Sequence, residues 1–312
     1  LIRLIQAELL KIYNRPLVWS MVALLFMMVS IMAILHINYN NKTVTSDWKA
    51  ELLEENRLLT IEMQEAPEEI RPYINSQVKQ NEYALNNGIS PKTMSVWKFV
   101  NSAAKLLPFV TLFTLIIASS VVASEYRWGT MQLLLIRPIS RYKLLLAKYV
   151  VILLFAAVLL AIVFVVSWIA GAILFGTKGA MEPYVFARDR VNFQSTTYIN
   201  KLLITYGLKI ITLFVIVTMA FVISVLFRSS SFAIGFSVFI LFSGNMFTSI
   251  LYRINVVMAK LSLFTHLNLE VYFTGTPPVE GISLLFSLGV LLGYVIAFYL
   301  VGWIAFARRE LV

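Results

Sequence analysis

Tyr149 to Phe175 reads YVVILLFAAVLLAIVFVVSWIAGAILF, without one charged residue. Crossing about 30 Å of hydrocarbon at about 1.5 Å per helical residue takes about 20 apolar residues, and this stretch has enough. Its apolar character is continuous rather than alternating, so it fits a helix, whose backbone groups are paired within the segment, and not a barrel strand. Five more stretches pass the same test, at 17–37, 103–124, 202–226, 232–252 and 282–306. Over the whole 312-residue chain 59% of residues are hydrophobic and 13% charged, with a mean hydropathy of +0.81. A soluble enzyme domain of this length cannot hide that much apolar surface. The sequence therefore predicts an all-α polytopic membrane protein with six transmembrane helices.

The formal charge of +10 would suit nucleic acid if it were spread over one face, but the cations bracket the apolar runs and so report orientation. Arg3, Lys11, Arg15, Arg127, Arg137, Arg141, Lys143, Lys148, Arg228, Arg308 and Arg309 fall in the terminal segments and the even-numbered connections. Only Glu8, Glu125 and Glu310 oppose them there, whereas the other side is balanced. Positive-inside bias then places both termini in the cytoplasm, with no nucleic-acid partner. Lys105 and Lys209 lie near the outer ends of the second and fourth spans. Their long stems let the ammonium reach the headgroups, and a pathway or ligand role is the sharper reading.

Four pieces lie outside these spans. Residues 1–16 read as an amphipathic helix ended by Pro16, with Ile5, Leu9 and Ile12 on one side and Arg3, Glu8 and Lys11 on the other. Such a helix lies flat in the headgroup layer; the apolar run after it is too long for a cleaved signal peptide. Residues 38–102 predict an extracytoplasmic helical hairpin. Ser46 or Asp47 caps a first helix carrying Trp48, Leu52, Leu59 and Met63 until Pro67, and a second helix with Ile70, Ile74 and Val78 stops at Asn87-Gly88. Its apolar stripe serves either self-packing or capture of a ligand. Segment 176–201 is polar and gives no pattern.

In loop 125–148, Gly129 permits a tight turn, Thr130 caps a short helix to Ile136, Pro138 stops it, and Ser140 caps the third span. Its run Leu133 to Ile136, rimmed by Arg127, Arg137 and Arg141, can fill a socket on another protein or dip into lipid.

Chemistry is sparse. Cysteine is absent and His36 and His266 are the only histidines, so neither a thiolate nor a multi-histidine metal site can form in one chain. No nucleotide-binding or hydrolase motif occurs, so no cofactor is expected in this chain. Thr111 and Thr114 in the second span, and Ser243, Asn245 and Thr248 in the fifth, serve helix packing or line a translocation path. Pro108 is expected to kink the second span.

Glu125, Gly129-Thr130, Leu133-Leu134 and Pro138-Ile139-Ser140-Arg141, within the six-span layout, resemble the coupling-helix pattern of type-2 permease subunits of ATP-binding-cassette exporters. Residues 253–281, with Thr276-Pro277-Pro278, are similar to that family's outer re-entrant hairpin, where Glu270 could stand for an acidic residue of some relatives. The long insertion 38–102 departs from compact members. The resemblance implies an elbow helix at 1–16 and a coupling helix in which Glu125, Arg127, Gly129, Thr130, Leu133, Leu134, Arg137, Pro138 and Arg141 meet a cytoplasmic ABC ATPase. It also implies a second permease chain, a bacterial-type cytoplasmic membrane, ATP and Mg in the partner, and export of an amphipathic peptide, antibiotic or lipid-like molecule. A sensor or scaffold with a ligand-binding outer hairpin is the alternative from the residues, followed by a secondary transporter, which lacks support from internal repeats.

Overall fold

The computed structural model describes residues 1–43, 48–68, 70–88, 94–130, 140–187, 193–227, 229–274, 279 and 281–308. Among these, five helices are long and apolar enough to cross a bilayer, and a bent sixth qualifies if its halves form one span. The chain is a multi-pass helical membrane protein.

Helix α1 (Ile2–Tyr13) is followed by α2 (Pro16–Thr43), which begins at the proline expected to separate them. Hydrophobicity does not distinguish one face of α2 from another, but packing does. Val18, Met21, Leu25 and Val29 recur at helical spacing and are buried, while Trp19, Phe26 and Met27 stay exposed. The helical hairpin expected at 38–102 forms from α3 (Trp48–Glu65) and α4 (Arg71–Asn86). Leu52 and Ile74 are buried between them and Asn81 Nδ2 donates to Asn56 Oδ1 at 2.9 Å. The expected cap at Ser46 or Asp47 lies outside the described residues.

The second span differs from its expected form. It starts earlier, with α5 (Val96–Ala103) capped by Ser95, and passes through a 3-10 turn at Ala104–Leu106 into α6 (Leu107–Ser120). Pro108 therefore sits in the first turn of α6, where its missing N–H costs nothing. After a break at Val121 and Val122 the chain continues as α7 (Ala123–Arg127), and Gly129 turns it with φ +69°. The third span is α8 (Arg141–Phe175), capped by Ser140 as expected.

Segment 176–201 is not featureless. Strands β1 (Pro183–Ala187) and β2 (Phe193–Thr197) form an antiparallel hairpin, with Tyr184 opposite Thr196. The architecture is helical, in keeping with the all-α expectation, with one two-stranded sheet among the described residues. Periodicity over strands this short carries little weight, which is why the pattern escaped the sequence.

Helix α9 (Tyr198–Leu226) is the central span, buried almost continuously from Leu213 to Val225. Helix α10 (Ser230–Ile254) bends by 57° between Ser230–Gly244 and Met246–Ile254. Short helices α11 (Val256–Leu261) and α12 (Val271–Thr274) lead to the last span, α13 (Leu284–Ala307). Arg141 Nη1 donates to Ala307 O at 3.0 Å, and α1 packs against α8, so both ends of the chain gather at one end of the bundle. The helical hairpin of α3 and α4 and the β-hairpin occupy the other, where Trp97 Nε1 donates to Thr177 O at 3.2 Å.

Candidate functional site

The end that carries the termini is rich in cations, and Glu8 and Glu125, its carboxylates among the described residues, meet in one place. Glu8 Oε1 is 2.6 Å from Lys11 Nζ and its Oε2 is 2.8 Å from Lys148 Nζ; Glu125 Oε1 is 2.7 Å from Lys148 and 3.0 Å from Lys11. The four side chains close a ring of alternating charge. Lys148 is 1% exposed, Glu8 5% and Glu125 8%, while Lys11 remains 47% exposed. The polar side of α1 was expected to face the headgroups; Glu8 instead turns inward, because a buried carboxylate must be neutralised and Lys148 on α8 supplies the charge. Arg15 extends the contact by donating to Ser120 Oγ at 3.2 Å.

Burial by itself opposes ionisation of Glu8, but Lys148 and Lys11 more than offset it and hold the carboxyl below its ordinary value. Burial likewise opposes the charge on Lys11, and Glu8 with Glu125 overcome it, raising the amine above the usual lysine value. Both directions favour the ionised forms of Glu8 and Lys11. The ring's other consequence is mechanical, since it fastens α1, the end of the second span and the start of the third into one unit. Glu125 Oε2 and Ser124 Oγ are buried there without a hydrogen-bond partner among the described residues.

Of the residues expected to couple to a partner, Glu125 belongs to the ring, Arg127 lies against Trp128, and Thr130 Oγ1 donates to Glu125 O at 3.4 Å. Gly129 makes the turn and Arg141 meets the end of α13. Leu133, Leu134, Arg137 and Pro138 lie outside the described residues.

The expected lining residues bond locally. Thr111 Oγ1 donates to Leu107 O at 3.1 Å and Thr114 Oγ1 to Val110 O at 2.8 Å, with Thr114 fully buried. Thr248 Oγ1 donates to Gly244 O at 3.2 Å, satisfying a carbonyl beside the bend of α10; Ser243 is half-buried, and the side chain of Asn245 lies outside the described set.

Several residues were missed. Ser224 Oγ, in the middle of the core, accepts from both Val122 N (3.0 Å) and Ala123 N (3.1 Å), replacing the helical bonds lost at the break in the second span. A hydroxyl in a long apolar run was the only hint. His266 is fully buried. Its Nε2 lies 2.8 Å from Lys260 O and must donate, so Nδ1 accepts from Ser287 Oγ at 2.7 Å, and Tyr272 Oη donates to that hydroxyl at 2.5 Å. This chain of bonds pins the segment before α13 to its first turns. At the far end Lys209 does not merely reach for headgroups; it pairs with Glu270 at 2.9 Å.

A sequence profile described as "Protein of unknown function (DUF2705)" matches residues 58–312, most of the chain. The chain belongs to this family. It is 34% identical to "Uncharacterized protein YhcI" of Bacillus subtilis (strain 168), over 100% of this chain and 99% of that protein. It is also 25% identical to "Uncharacterized membrane protein YdbK" of the same organism, over 63% of this chain and 76% of that one. The profile takes in Glu125 and Lys148 but starts beyond Glu8 and Lys11, so half of the charged ring lies outside the matched segment.

Proposed function

We propose that the chain is the membrane-spanning permease subunit of an ATP-driven exporter that moves an amphipathic molecule across a bacterial-type cytoplasmic membrane. The observation that carries this reading is the ring of Glu8, Lys11, Glu125 and Lys148 beside the loop that joins the second and third spans. A motor outside the bilayer can drive spans only through an element that moves as a body with them. The ring makes such a body of the elbow helix and the two flanking spans. In this reading both termini are cytoplasmic and the coupling loop presents Leu133 and Leu134 to an ABC ATPase. That partner binds ATP and Mg, and two permease chains, identical or homologous, enclose the path. Nucleotide drives the cycle only by binding the two conformations with different affinity.

The test is co-purification of the full chain with the cognate ATPase, followed by transport in proteoliposomes. Leu133→Asp with Leu134→Asp abolishes ATPase capture while leaving the monodisperse membrane protein intact. Unchanged capture by that variant overturns the interface, and absence of ATP-dependent vectorial flux from the assembled complex overturns export. One observation favours a sensor instead: Leu53, Leu58 and Ile61 leave an exposed apolar stripe on the outer hairpin. Ligand-dependent recruitment of a partner without flux is the result that selects it.

A further inference from the structure

At the end opposite the termini, a cavity of about 80 Å³ lies between the β-hairpin, the first turns of α9 and the segment entering α12. Its walls include Tyr184, Lys201, Ile204, Thr205, Leu208, Glu270 and Phe273. Lys201, Ile204 and Leu208 follow one another at helical spacing, so they form a single stripe with the cation nearest the start of α9 and the apolar groups behind it.

The charges around this space are unequal. Glu270 is engaged by Lys209 at 2.9 Å, and the neighbouring Lys98 is matched by Glu182 at 3.1 Å. Lys201 is half-buried, and its ammonium lies 3.3 Å from the centroid of the Tyr184 ring, an aromatic partner in place of a carboxylate among the described residues. Glu270 is within electrostatic reach of Lys201 as well as paired with Lys209, and Lys105 adds a further positive charge, so three ammonium groups share this one carboxylate. A cation would add to this positive excess, and a neutral molecule would leave the partly desolvated ammonium with only its share of Glu270, which also serves Lys209. An anion corrects the imbalance, and the apolar stripe asks for a hydrocarbon attached to it.

We propose that this cavity binds the head and first carbons of an anionic amphiphile, with a carboxylate or phosphate at Lys201 and the rest of the apolar chain leaving through the open side past Ile204, Leu208 and Phe273. The site goes beyond the export reading and stands without it, because it is measured on the full chain alone, with neither ATPase nor nucleotide present.

The experiment is equilibrium binding of radiolabelled dodecyl phosphate to the protein in nanodiscs of phosphatidylcholine. Saturable binding is expected, with dodecanol and inorganic phosphate each competing at least about tenfold less well, since each lacks one half of the recognition. Lys201→Gln weakens binding by about tenfold, whereas Lys201→Arg retains it. Thr205→Phe, which fills the cavity without altering any charge, weakens it as well. Displacement by phosphatidylglycerol added to the nanodisc identifies a lipid as the source of the anion, and its failure identifies a soluble amphiphile; both support the site. Absence of saturable binding, equal competition by dodecanol, or full affinity in Lys201→Gln or Thr205→Phe overturns it.

Discussion

Lys148 Nζ lies 2.8 Å from Glu8 Oε2, joining the third span to the N-terminal helix across 140 positions of sequence. The same ammonium holds Glu125 at 2.7 Å, so one buried cation neutralises a carboxylate from each of two other elements. Lys11 then closes the ring from the more exposed side. Such a network is not required for stability, since apolar side chains of equal volume can serve as well, but breaking it leaves a buried charge exposed to low dielectric.

Replacing Lys148 with Met leaves the half-exposed Lys11 as the one remaining partner of the buried Glu8 and Glu125 in the ring, and the expected loss is about 3–5 kcal/mol. Thermal unfolding in a neutral detergent reads this out. Adding Glu8→Gln to Lys148→Met recovers part of the loss, with a coupling of about 0.5–3 kcal/mol because the two residues share one contact. Strictly additive effects would show that they act separately.

The ring also sets a pH window for docking of α1. The groups facing one another are Glu8, Lys11, Glu125 and Lys148, with Arg15 alongside. Because the folded value of Glu8 is lowered, its contribution is complete above the ordinary carboxylate range and disappears as pH falls through that lowered value. Because Lys11 is raised, its contribution is complete below the ordinary lysine value and disappears as pH rises through the raised one. Protection of the α1 amides against hydrogen exchange, corrected for the intrinsic pH dependence of the rate, should be flat at neutral pH and fall at both extremes. A maximum in acid would contradict the assignment.

Ser224→Ala removes the acceptor for two backbone N–H groups at once. Leaving Val122 N and Ala123 N unpaired in the core costs about 1–3 kcal/mol, and exchange at those two amides accelerates. Ser224→Thr keeps the hydroxyl and is expected to retain most of the protection. Equal exchange in the alanine variant and the parent would mean that water replaces the side chain.

Gly244 is the point of close approach at the bend of α10. A Cβ there would sit 2.8 Å from Cδ1 of Phe264, whose ring is held by stacking on Phe247 with centroids 5.7 Å apart. Gly244→Ala should therefore destabilise by about 1–3 kcal/mol through overpacking, and Phe264→Leu in the same chain should relieve it. A lower thermal midpoint in the single variant that the double variant restores is the expected result.

Much of the bundle could be read without coordinates because lipid imposes a simple demand: a long apolar run that satisfies its own backbone. The proline that opens α2, Ser140 at the head of α8 and Asn87-Gly88 after α4 fell where local chemistry put them, since a cap or a turn depends on neighbours in sequence. The candidate site was legible only in its parts. Glu125 stood out for its motif, whereas Lys148 looked like an orienting charge and Glu8 like a headgroup contact. The available clue was scarcity, with two of the three acids at a cationic end drawn into one ring.

Sequence by itself determined that this protein lives in a bilayer, which stretches are apolar enough to cross it and where most of their helices begin, because burial in lipid and capping act over a few adjacent residues. Tertiary structure alone decided that Glu8 turns inward to Lys148, that Ser224 mends the break in the second span, that Lys209 meets Glu270, and that a β-hairpin closes over α9. Each of these depends on groups brought within about 3 Å from distant positions, and the energy of a buried charge or an unpaired amide is set by that distance rather than by its place along the chain.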